Sequence, residues 1–320
     1  MIKEITFSRP TDKWHTSDVS LDSICNKYKY HNPRLEKYEI DILRMDAYSG
    51  DYHHIDGWVL PEDIRFLDFI SSIPFNQEGG ICEIGVHCGK YFIPLNQLAS
   101  DPTKEQYQAE SLAVDLFTNI QNLNVSYSGG LHDVQNAKDL LGEKVFNTMT
   151  EGQIQHYTDL KHKFLRNLEK YDEKYRGKNV TLLEADSLTL TPEDLGIREY
   201  KFISVDGGHD VEHVQNDLRL VEKCIKQHGV VILDDWMNPQ FSSVSEGYYN
   251  YKNQGGVLVP FASCNGKLYL CNYSVHYMYL EYLEQLKVAK LFDTVSGYKV
   301  VTILKEPIYY PDGLNPSNLL

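Results

Sequence analysis

Apolar residues in the middle of the chain fall into short blocks, and the segments between them carry helical spacing. The blocks are ICEIGV at 81–86, SLAVDLF at 111–117, NVTLLEA at 179–185, KFISVD at 201–206 and GVVILDD at 229–235. Short, nearly continuous apolar runs suit strands buried on both faces. Pro61-Glu62-Asp63 opens a helix well, because proline is tolerated and acids are favoured in a first turn. Ile64, Leu67 and Ile70 form its stripe, with Phe66 and Phe69 beside it. Another helix follows from near Gly89, where Pro94 fits only in the first turn. The clearest helix spans 210–228: Val211, Val214, Leu218, Val221 and Ile225 are spaced 3, 4, 3, 4, and His228-Gly229 offers a stop. A charged helix is predicted near 155–175. Beyond residue 240 the pattern changes to a hairpin at 257–272 around Asn265-Gly266, a helix at 274–289 and a last strand at 297–304.

Strands alternating with helices predict an α/β fold: a Rossmann-like, doubly wound, mostly parallel sheet with a C-terminal antiparallel hairpin. Ligands of such sheets bind at the carboxyl ends of the strands. No repeat at a solenoid period is present. Residues 1–56, rich in Tyr and His, are expected to form an N-terminal extension or cap. Residues 57–320 form one domain with an insert at about 118–152.

Composition narrows the partners. The 320 residues hold 31 Lys and Arg against 45 Asp and Glu, a formal charge of −14. Affinity for nucleic-acid phosphates or an anionic membrane needs clustered Lys and Arg, so neither is an expected partner. No apolar run is long enough for a membrane span, and MIKEITFSRPTDKW lacks the apolar core of a signal peptide. The six cysteines contain no C-x-x-C pair, which counts against a zinc ribbon. A two-residue turn at Asn265-Gly266 sets Cys264 opposite Lys267, so Cys264 and Cys271 do not face each other. The expectation is a reduced, cytoplasmic protein acting on a small molecule. A homo-oligomer stays open, with residues 1–56 covering a neighbour or capping the pocket.

Candidate chemistry sits at the predicted strand ends. EIGVHCG carries Glu83, Gly85 and Gly89, an E-x-G-x-x-x-G turn that lets a ligand approach the backbone. It is not the dinucleotide G-x-G-x-x-G, because His87 occupies the middle position, and an ordinary strand-to-helix turn explains it equally well. Asp115 can accept both hydroxyls of a ribose, or simply cap a helix. Asp186-Ser187 can read an adenine edge, or act as a cap or turn. Strand four ends in DGGH, Asp206 to His209, and strand five in Asp234-Asp235-Trp236. Adjacent strands lie ~5 Å apart, so these acids can converge. Converging carboxylates repel one another unless a cation joins them, and oxygen ligands suit magnesium. His209, with an ordinary pKa of ~6.5, can take a proton beside them. His53-His54 and the tyrosines 248, 249 and 251 could border a substrate; a polar loop and hydrophobic core are the commoner fates of such residues.

In this order, E-I-G-x-x-x-G, Asp115, Asp186, D-G-x-H and L-D-D, the chain resembles class I S-adenosylmethionine-dependent methyltransferases over about residues 57–272. It is most similar to the metal-dependent O-methyltransferases of the macrocin sugar and catechol types. DGGHDVEHVQNDL with GVVILDDW is the specific part of the likeness. The resemblance implies that Glu83, Gly85, His87 and Gly89 line the methionine part of the cofactor and Asp115 holds its ribose. Asp186 and Ser187 would contact the adenine, and Asp206 would also border the cofactor. It further implies Mg2+ or another divalent cation on Asp206, Asp234 and Asp235, with His209 as general base. The implied reaction methylates a hydroxyl of a sugar, a catechol or another natural-product diol. Three other readings compete: a metal-independent methyltransferase, a nicotinamide oxidoreductase (disfavoured by the missing G-x-G-x-x-G), and a non-catalytic cofactor-binding protein on the same fold.

Overall fold

A computed structural model describes residues 55–73, 75, 79–99, 110–117, 160–171, 180–196, 200–285 and 290–303. The expected insert at 118–152, His53-His54 and nearly all of the expected extension lie outside the described residues. Its last two members, Ile55 and Asp56, are described, and Ile55 is buried in the domain core.

The described elements, in order, are α1 (Pro61–Ser72), β1 (Gly80–Ile84), α2 (Phe92–Ala99), β2 (Ser111–Asp115) and α3 (Leu160–Tyr171). Then come β3 (Val180–Glu184), α4 (Pro192–Leu195), β4 (Tyr200–Val205), α5 (Val211–Cys224) and β5 (Ile225–Leu233). The chain continues through α6 (Ser242–Asn253), β6 (Leu258–Cys264), β7 (Lys267–Asn272), α7 (His276–Gln285), β8 (Lys290–Val295) and β9 (Tyr298–Ile303). Among the described residues one sheet forms in the order β3-β2-β1-β4-β5-β7-β6-β9-β8. Strands β1 to β5 run parallel, and β7 pairs antiparallel with both β5 and β6.

Alternation along the strands sends side chains to two cores. Ile81, Phe202, Val230 and Ile232 face α1, α2, α3 and α7. Cys82, Ile84, Ile203, Val205, Val231 and Leu233 face α4, α5 and α6. Both faces of the central strands are therefore dry, as their apolar runs require. Strand β3, at the sheet edge, is the exception: its residues are half-buried or exposed. Pro94 does lie in the first turn of α2. The Asp63 side chain accepts the Leu60 N–H at 3.0 Å and so caps the start of α1.

Besides α6, for which no helix was expected, two places differ from expectation. The helical spacing runs on to Ile225, yet α5 ends at Cys224 and the chain passes straight into β5. Gly229 is not a helix stop but lies inside β5, where a Cβ would meet the Ile225 side chain at 2.7 Å. A strand-interior glycine thus marks close packing. The second difference is β8, for which no strand was expected. Most of its residues are exposed, so no buried face imposes an alternating pattern, and a Ser296-Gly297 turn pairs it with β9.

None of the described helices is long and apolar enough to cross a membrane. Among the described residues Cys82, Cys88, Cys224, Cys264 and Cys271 are buried. Cys264 does stand opposite Lys267.

Candidate active site

From β1 the chain winds outward through β2 to β3, then returns to β4 on the other side of β1. The crevice where the winding reverses lies at the carboxyl ends of β1 and β4. A cleft of about 960 Å³ opens there. Glu83, Gly85, His87, Asp115, Ser187, Asp206, His209, Asp234 and Asp235 all line it, joined by Lys90, Lys267 and Trp58.

The β1 end shapes one wall. Gly85 has φ +89, and a Cβ there would lie 1.9 Å from the Asp206 carbonyl oxygen. Only glycine lets the ends of β1 and β4 approach this closely. The Glu83 carboxyl is 1 % exposed, and its Oε2 has no hydrogen-bond partner. Burial, with Asp206 close by, pushes its pKa well above the usual carboxyl range. A buried acceptor without a donor suits a ligand that brings one, such as an ammonium group. Asp115 Oδ2 accepts the His87 N–H at 2.8 Å and Oδ1 accepts the Phe117 N–H at 2.7 Å. Each oxygen keeps a lone pair for a ligand hydroxyl. Burial raises the Asp115 pKa, and these two N–H groups counter the rise.

Two predicted contacts are placed differently. Gly89 does not line the cleft; its open side meets the Phe164 ring of α3, 3.0 Å from where a Cβ would stand. Asp186 also lies outside the cleft lining. Its Oδ1 accepts the Leu188 N–H at 3.0 Å and stands 3.5 Å from His213 Nε2. Of the Asp186-Ser187 pair, Ser187 faces the ligand space.

The ends of β4 and β5 carry the remaining acids. His209 Nε2 lies 2.9 Å from Asp235 Oδ2 and 3.6 Å from Asp206 Oδ1, and its ring stacks on Phe241 at 4.2 Å between centroids. Burial works against the imidazolium, but Asp206 and Asp235 outweigh it and hold the pKa at about 10. Asp206 is pushed up to about 7 by burial and by Asp234. Burial also works to raise Asp235, yet hydrogen bonds from His209 and Asn238 bring it below the usual range. Asn238 Nδ2 donates to Asp235 Oδ1 at 2.6 Å. Asp206, His209 and Asp235 offer donor atoms within 4.8 Å of one another. The two carboxylates of that set suit a divalent cation, and the set is the one such cluster among the described residues.

Asp234 does not belong to that cluster. Its Oδ2 is salt-bridged to the Lys267 ammonium and its Oδ1 accepts the Asp235 N–H at 2.8 Å. Sequence reasoning missed Lys267. It is 2 % exposed at the start of β7, and the turn before it enters the site, with Asn265 Nδ2 donating to Asp63 Oδ1 at 3.0 Å and Gly266 accepting the Trp236 N–H at 2.7 Å. One signal was available: Lys267 is the single charged residue between Val257 and Cys271. A charge in a stretch otherwise suited to burial needs a partner.

Residues 82–236, just under half of the chain, match a family described as a methyltransferase domain. The solved O-methyltransferase NovP is 16% identical over 66% of this chain and 80% of its own, with a TM-score of 0.47. The calicheamicin methyltransferase CalS11 is 15% identical over 79% of this chain and 91% of its own, with a TM-score of 0.41. TomG from Streptomyces achromogenes, an O-methyltransferase in complex with SAM, is 12% identical over 72% and 89%, with a TM-score of 0.41. At such identities and TM-scores these structures do not bear on the reaction. No curated protein matches the chain.

Proposed function

We propose that this chain, whose residues 82–236 match a methyltransferase-domain family, uses S-adenosylmethionine to methylate a hydroxyl of a small molecule bearing two neighbouring oxygens. The observation that carries this reading is the convergence of Asp206, His209 and Asp235 in a cleft that Glu83 and Asp115 also line.

Bound S-adenosylmethionine supplies an electrophilic methyl carbon. Asp115 would accept from its ribose hydroxyls, Gly85 would admit it against the backbone, and Glu83 Oε2 would accept from its ammonium group. Trp58, Met237 and Phe241 line the mouth of the cleft and give a sugar or aromatic ring an apolar surface. Of the three acids first assigned to the metal, Asp206 and Asp235 would hold one, because the cation beside them is a titratable imidazole rather than a lysine ammonium. A bound divalent cation would compensate these carboxylates, so that His209 can be neutral near pH 7, and would acidify a nearby hydroxyl. His209 then takes the hydroxyl proton. Alignment of oxygen, methyl carbon and sulfur supplies much of the remaining acceleration.

The test incubates the protein with methyl-labelled S-adenosylmethionine and a panel of catechols, sugar diols and mono-alcohols, with Mg2+ or with EDTA. The expected result is label on a diol oxygen, lost in EDTA, and slowed ~10²–10⁴-fold in H209A, the usual range for a general base. Label on nitrogen would overturn the reading. Undiminished turnover in EDTA would instead favour a metal-independent enzyme, a second reading supported by the ammonium that Lys267 already places among the acids.

A further inference from the structure

Lys267 has no part in the methyl transfer as derived, yet it is buried among the groups that perform it. Its backbone is fixed at the start of β7, paired with Cys264 across the hairpin. Its ammonium contacts Asp234 and lies 4.6 Å from the centre of the Tyr91 ring. Burial opposes the charge, but Asp234, Asp206 and Asp63 hold it firmly in place. Both oxygens of Asp234 are engaged, one by this ammonium and the other by the Asp235 N–H. A divalent ion could use Asp234 only by standing next to a fixed positive charge, which is unfavourable at low dielectric. The strand that carries it is hydrogen-bonded on both sides, to β5 and to β6, and the side chain itself is buried against Asp234 and the Tyr91 ring.

We propose that Lys267 is a resident cation of this site, which takes Asp234 out of the metal ligand set and leaves a divalent ion the carboxylates of Asp206 and Asp235. The proposal rests on the metal-assisted reading above. With two anionic ligands in place of three, the ion is held more weakly and exchanges more readily.

Mn2+ serves as the probe, with its affinity for the full chain read by electron paramagnetic resonance and its position by anomalous scattering from a Mn2+-soaked crystal. In the wild-type protein the ion is expected on Asp206 and Asp235, with Asp234 still on Lys267. In K267M the affinity is expected to rise at least ~10-fold, since a neighbouring positive charge is gone. K267Q, which keeps a polar head beside Asp234, should shift it in the same direction and serves if K267M does not fold. A rise is informative because damage to the fold lowers affinity. An Asp234 oxygen bonded to the ion in the wild-type crystal would overturn the proposal and leave the metal-assisted reading standing, as would an unchanged or lower affinity in both Lys267 variants. Absence of Mn2+ binding in wild type and both variants would overturn the metal-assisted reading itself, and this proposal with it.

Discussion

Gly85→Ala tests how tightly the crevice is built. At φ +89 an L-residue is in left-handed space, and the new methyl would sit 1.9 Å from the Asp206 carbonyl oxygen. Restoring even the ~3.3 Å of a close C–H···O contact requires the ends of β1 and β4 to separate by about 1.4 Å. These strands are linked at that point by the Asp206 N–H donating to Ile84 O at 2.8 Å, so the separation strains a buried hydrogen bond. The backbone conformation costs about 1–2 kcal/mol and the overpacking about 1–3 kcal/mol, or about 2–5 kcal/mol together. Gly297 is the matched control. Its φ is +83, but a Cβ there meets nothing within 4 Å, so G297A should lose the conformational part alone, about 1–2 kcal/mol. Urea unfolding of both variants measures the difference, provided the m-values agree. S-adenosylhomocysteine titration should also show weaker binding in G85A, since Gly85 and Asp206 both line the cleft. If G85A loses no more stability than G297A, the close approach of the two strands is not a constraint and the account of this crevice fails.

Three further outcomes are expected. Asp115→Asn should weaken S-adenosylhomocysteine binding ~10–100-fold by calorimetry, because hydrogen bonds to a charged acceptor are the strong ones; unchanged affinity would remove Asp115 from the ribose site. Asp235→Asn should lower Mn2+ affinity by at least ~100-fold, more than the loss of a residue that merely orients a ligand, while S-adenosylhomocysteine still binds; the reverse pattern would place Asp235 on the cofactor. In a chelator, His209 contributes a stabilisation that depends on pH. Burial opposes its charge, but Asp206 and Asp235 raise its pKa from 6.5 to about 10 in the folded protein. That contribution is therefore complete below pH 6.5 and is lost as the pH rises through 10. The stability gap between wild type and H209Q should shrink over that window, and a gap that widens toward pH 10 would contradict the Asp206–His209–Asp235 geometry.

Where the sequence could be read and where it could not follows from distance along the chain. Strands β1, β2, β4 and β5 were legible because each is a short apolar run with both faces buried, and β3 because it keeps such a run although it lies half-exposed at the sheet edge. The acids at their carboxyl ends were legible for the same reason, since the end of a run is a local feature. The α5–β5 boundary was not, because Ile225 continues the helical spacing while pairing opposite Tyr200 in the sheet. Neighbouring residues were the hardest to sort. Asp186 and Ser187, like Asp234 and Asp235, share one local pattern, yet one member of each pair is engaged by a distant basic side chain, His213 for Asp186 and Lys267 for Asp234.

From the sequence alone came the alternation of strands and helices through β5, the sheet class, the edge at which the site lies and the types of side chain available there, because all of these depend on local pattern and strand polarity. Folding added the partners. The hairpin turn at Asn265-Gly266 is 30 residues beyond Asp235, and Asp63 is about 200 residues before the turn. Only the insertion of β7 beside β5, and the packing of α1 over the sheet, bring Lys267, Asn265 and Asp63 to the acids. Which carboxylate stays available for a cation depends on electrostatics at a few ångströms, and so on contacts between segments far apart in the chain.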